Sequence, residues 1–187
     1  MKKWLFLALL AIPVMAWMLF KPARVLAPGW VGGVTCPTET LCLDDAARLT
    51  EATRLYEDAV AFVESEIDAF ESRPRVTFCS TDRCFRSFGF NRAAGQTVGR
   101  SGIVIGTRGW QDYYLRHEMI HYMQAEKMGV IGQWRSDDWF KEGMAYALSL
   151  DPRTTLPEPM QTYRRQFEKW YASVGKDRLW EAARQLY

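Results

Sequence analysis

The chain has 187 residues, of which 48% are hydrophobic, 14% aromatic and 25% charged, with a formal net charge of +2. Without Lys2 and Lys3, 22 basic side chains face 22 acidic ones, a balance that leaves no electrostatic footprint for a nucleic-acid partner. About 165 residues follow the first twenty, enough for one domain around one core and too few for two.

The N-terminus carries Lys2-Lys3 and then an uncharged run of 17 residues from Trp4 to Phe20, the short limit for crossing a hydrocarbon core. Cleavage after Ala16 would leave Trp17-Met18-Leu19-Phe20 as an exposed apolar start. The run therefore reads as an uncleaved signal-anchor, with secretion after cleavage as the alternative. Basic flanks do not decide the orientation. The cysteines and the bulk of the C-terminal part argue for a domain on the periplasmic or extracellular side. The expected organisation is an anchor over 1–20, a Pro- and Gly-rich membrane-proximal linker over 21–43, and the domain over 44–187.

Four cysteines occur as Cys36-x5-Cys42 and Cys79-x4-Cys84. An even count behind an export signal reads as disulfides. Of three pairings, local closure of Cys36 with Cys42 and of Cys79 with Cys84 is the simplest. A four-thiolate structural zinc site is the competing reading, but the first gap exceeds the usual spacing for such sites.

Apolar residues from Leu49 to Phe70 recur at steps of three and four, which predicts one amphipathic helix within 44–70. Arg73-Pro74 ends it, Arg75–Cys79 is a strand candidate, and Thr81–Phe88 a short helix. Between Gly95 and Gly106 the expected strands are Thr97-Val98 and Ile103–Ile105, with Gly99, Ser101 and Gly102 leaving room for an extended peptide backbone or simply closing a hairpin. Helices are expected over Pro159–Ser173 and Asp177–Leu186, separated by Gly175.

His117-Glu118-Met119-Ile120-His121 contains both histidines of the chain. Residues four apart share one helix face, so the two imidazoles aim at one point, the spacing a zinc ion requires, while Glu118 can reach a water there without being a ligand. A catalytic zinc needs a third protein ligand. Gln124 and Lys127 stand where a metzincin has its Gly and third His, so that class is excluded. With no histidine left, the third ligand is expected to be a carboxylate. Glu142 follows 21 residues after His121, and its competitors Asp137 and Asp138 sit where acids cap a helix start.

The segment Trp139-Phe140-Lys141-Glu142-Gly143-Met144-Ala145, read as W-F-x-E-G-x-A, resembles the glutamate helix of the gluzincins, the thermolysin-like and aminopeptidase-like zinc peptidases. The resemblance covers about 102–186 and is specific only at the two motifs. It implies an α+β, zincin-like fold: a small sheet, the zinc-motif helix, the glutamate helix and further C-terminal helices. It also implies one zinc per chain on His117, His121 and Glu142, Glu118 as general base, and a peptide or protein substrate paired to an edge strand near the zinc helix. Gly143 would let the glutamate helix approach the zinc helix, and Trp139, Phe140 and Leu150 would pack around the pair. An oxyanion donor is expected from Tyr163, where gluzincins tend to carry a tyrosine, or from Tyr146 or an arginine. A catalytically silent zinc-binding interaction domain at the membrane surface is the second reading. Intramembrane proteolysis is excluded because Asp112, Arg116, Gln124 and Lys127 lie on the motif helix.

Overall fold

The computed structural model describes Trp17 and residues 19–186. The anchor expected over 1–20 therefore lies almost wholly outside the described residues, among which no helix is long and apolar enough to cross a membrane. The fold is mixed α+β, a four-stranded sheet with several helices. The strands are β1 (Leu41–Leu43), β2 (Val76–Phe78), β3 (Gly95–Thr97) and β4 (Ile103–Ile105). Their order is β1-β2-β4-β3, with β1, β2 and β4 parallel and β3 antiparallel at one edge. The helices are α1 (Leu49–Glu66), α2 (Asp82–Ser87), α3 (Asp112–Arg135), α4 (Asp138–Leu148), α5 (Met160–Val174) and α6 (Leu179–Ala183).

Alternation along the strands divides the sheet into two faces. Leu41, Leu43, Val76, Phe78, Ile103 and Ile105 join the larger core with α1, α3, α4 and α5. Cys42 and Val104 look the other way, into a smaller cluster with Val25, Val31, Val34, Cys79, Cys84, Phe85 and Phe88. The 21–43 segment, expected as a linker, thus supplies β1 and a layer over the second sheet face; its short 3-10 turns bury Val25, Val31 and Val34. Valines and tight turns suit a packed layer as well as they suit a spacer, which is why composition alone read it as a tether.

The first amphipathic helix stops at Glu66, four residues short of Phe70. The Glu126 carboxylate on α3 accepts hydrogen bonds from the backbone N–H of Glu71 and Ser72 at 3.1 and 3.0 Å, pulling the chain out of helical register. The helix carrying His117 and His121 is followed by a second short helix after a break at Gly129, φ 74°. Gly143 is needed for a different neighbour than expected. A Cβ there would lie 2.3 Å from the Tyr163 carbonyl and 2.8 Å from Phe167 Cβ, so the glycine admits α5, not the zinc helix. Phe140 is fully buried and packs against Phe167 and Trp170, with Trp139 beside them. Leu150, in contrast, is 64% exposed in a left-handed turn (φ 55°) past the end of α4, and packs around nothing.

Candidate metal centre

Three donors meet between α3 and α4. The Nε2 atoms of His117 and His121 are 3.1 Å apart; Glu142 places Oε2 3.6 Å from the first and Oε1 3.6 Å from the second. A tetrahedral zinc with bonds of about 2.0–2.2 Å needs neighbouring donors roughly 3.3–3.6 Å apart. The observed spacings bracket that range, so two imidazoles and a carboxylate fit such an ion in both chemistry and size. No other described residues form a comparable His, Cys, Asp and Glu group.

The electrostatics show what the cluster does on its own. Burial, reinforced by the charge on His121, pushes His117 down to about 3. Burial alone would lower His121 too, but the hydrogen bond and charge of Glu142 outweigh it and lift it to about 9. Burial in turn opposes ionisation of Glu142, and the two histidines still hold it down at about 2. On its own the site therefore pairs the Glu142 carboxylate with a protonated His121, and a metal ion bound there would take that proton's place.

Supporting contacts fix the ligands. Gln124, fully buried, sets its amide oxygen 3.0 Å from His121 Nδ1 and donates through Nε2 to the Lys141 carbonyl on α4 at 3.0 Å. It thus orients one imidazole and ties the zinc-motif helix to the glutamate helix, as partners of metal-binding histidines do. Gln133 donates to the His121 carbonyl at 2.6 Å. The His117 ring meets Tyr146 edge-on, centroids 4.5 Å apart.

Glu118 stands beside the trio without joining it. It is 8% exposed, and burial raises its pKa even though His121 and Thr97 pull the other way. β3 explains its placement: Gly95 and Thr97, two residues apart on the strand, both meet Glu118 of α3. Thr97 Oγ1 lies 2.7 Å from Glu118 Oε2 and 2.8 Å from the Glu118 carbonyl. A Cβ on Gly95 would come within 2.6 Å of Glu118 Cγ, so glycine makes the room.

These groups border a cavity of about 250 Å³ lined by Gly95, Gln96, Tyr114, Tyr146 and the motif residues. Tyr163 is not among its lining; it lies on α5, its carbonyl against Gly143. Arg153 stacks over Tyr114 and Tyr146 at 5.4 and 5.7 Å and pairs with the buried Asp151. Sequence reasoning missed Gly95, Thr97, Gln124, Tyr114 and Arg153. Only Gln124 carried a legible signal, as a buried amide three residues past a ligand on the same helix. Both expected disulfides, Cys36–Cys42 and Cys79–Cys84, are formed, which removes the thiolate metal site. Comparison with known proteins adds nothing to this geometry: no family model, curated protein or solved structure matches the chain.

Proposed function

We propose that the chain is a small zinc-dependent peptidase of the gluzincin kind, tethered to a membrane by its N-terminus and working outside the cytoplasm. The observation that carries this reading is the division of labour between two glutamates. Glu142 belongs to a donor trio of zinc-like spacing, and Glu118 lies beside that trio in the same cavity, outside it and held by Thr97. Two disulfides support an oxidising compartment.

His117, His121 and Glu142 would hold one zinc. When bound, zinc supplies Lewis-acid polarisation and brings the acidity of water towards neutrality. Glu118 takes the proton of the attacking water and delivers it to the leaving amine, a task matched by a carboxyl whose pKa burial has raised. The unpaired side of the β3 edge, with Gly95 at the cavity wall, receives the substrate backbone by strand addition. Tyr146 is the better-placed oxyanion donor: it lines the cavity, touches His117, and is kept protonated by burial. Arg153 steadies it from behind.

The test measures zinc content and peptide-library cleavage on the same preparations. Wild type should retain about one zinc per chain and cleave. Glu118→Gln should keep the zinc and lose about 10²–10⁴-fold in rate, whereas Glu142→Ala should lose both. A zinc-loaded wild type that cleaves no peptide would leave a metal-holding interaction module. Zinc loss in Glu118→Gln but not in Glu142→Ala would reverse the two roles.

A further inference from the structure

We propose that Leu19, Phe20, Leu26 and Trp30 form a surface on which the domain rests directly against the lipid bilayer. These four side chains are 82%, 62%, 63% and 75% exposed and fall within twelve consecutive residues. Large apolar groups exposed in one short segment mark it as a candidate interaction surface.

The segment bearing them is fixed to the domain. Val25 and Val31 are buried on the second sheet face. Arg24 donates through Nη1 to the Ser87 carbonyl at 2.7 Å and through Nε to the Trp17 carbonyl at 3.2 Å. Arg75 Nη1 donates to the Leu26 carbonyl at 3.2 Å, and Trp17 meets Trp30 edge-on with centroids 6.3 Å apart. The segment is therefore held at Trp17, Arg24, Val25, Leu26 and Val31, and only four residues lie between Phe20 and the buried Val25.

The uncharged run that begins at Trp4 ends at Phe20, inside this surface. If that run enters the bilayer, no slack remains to hold the domain away, and Leu26 and Trp30, which follow it within ten residues, sit at the depth of the headgroups. Tryptophan favours that depth, and the exposed Lys21 suits anionic lipid, with Arg75 and the acidic Glu39 beside Trp30. Chain continuity selects the bilayer as occupant over a second copy or a substrate. The inference rests on the membrane tether proposed above and is independent of the metal site. Its consequence is a cavity held at a fixed height, serving substrates close to the membrane.

The experiment uses the full chain reconstituted in vesicles of phosphatidylcholine and phosphatidylglycerol, with or without bromine near the head of the acyl chains. The fluorescence difference between wild type and Trp30→Phe isolates Trp30. The expected result is that this signal loses most of its intensity in brominated vesicles and resists aqueous iodide. A Trp30 signal quenched by iodide and untouched by bromine overturns the proposal, as does one shielded from both, which would mark a protein partner. Flotation with plain vesicles separates the causes: a chain that does not float removes the tether and this surface together, and a floating chain with a water-facing Trp30 removes the surface alone.

Discussion

Thr97 shows how much of the site depends on one side chain outside the recognisable motifs. Its hydroxyl lies 2.7 Å from the Glu118 carboxylate, while the methyl end of the side chain completes a β-branched strand residue. Thr97→Val preserves that shape and removes the donor. Hydrogen bonds to charged groups contribute about 1.5–3 kcal/mol, so cleavage should fall roughly ten- to a hundredfold. Zinc content should stay at the wild-type level, because no ligand is touched. Thr97→Ser should restore most of the rate, which a purely structural role would not explain. A variant that loses zinc along with activity would mean that Thr97 supports the fold of the site rather than the base. The two histidines and Glu118 were legible because five consecutive residues encode them on one helix, whereas Glu142, on the next helix, was reached through the resemblance of the residues around it. Thr97 and Gly95 were not, because nothing in a three-residue strand announces which helix residue it will meet.

At the scale of elements, the glutamate helix is held by what lies behind it. Phe140 and Phe167 interlock, and Gly143 allows the Tyr163 backbone to reach van der Waals contact. Gly143→Ala must push α4 and α5 apart, since the obstructing atom is main chain and cannot rotate away. Overpacking of this kind costs about 1–3 kcal/mol, to be read as a lower denaturation midpoint in urea with an unchanged slope. If the midpoint is unchanged, α5 is not packed as described. The sequence marked Gly143 as a close-approach position correctly and attached it to the wrong partner, since a glycine reports that something comes near and not what. The first helix was legible from its apolar period. The limits of α1 were not, because Glu126, sixty residues after its last turn, captures the chain there. β1 was hidden for a related reason: three residues are too few to show alternation, and β1 is a strand only because Val76–Phe78 pairs with it.

For the whole molecule, the sheet separates two jobs. Its first face carries α1, α3, α4 and α5 with the candidate metal centre, and its second face carries the N-terminal layer, α2 and both disulfides. Each bridge closes a loop of only six or seven residues, for which the chain-entropy account gives about 2 kcal/mol. Replacing Cys36 and Cys42 together by Ser should therefore lower stability by about that amount, with the N-terminal layer loosened first, since Cys42 is buried beneath it. Hydrogen exchange should show faster amide exchange in 25–34 and unchanged protection in α3 and α4. Zinc affinity of the folded protein should be unaffected, because no ligand or ligand support lies on that face. The contact that could carry an effect across is the Trp110 indole N–H donating to the Cys79 carbonyl at 2.9 Å, just before the zinc-motif helix. It belongs to the other bridge. Loss of Cys79–Cys84 should thus be the more damaging of the two for metal retention. Equal effects of the two double variants on zinc affinity would show that the sheet transmits strain between its faces and does not insulate them.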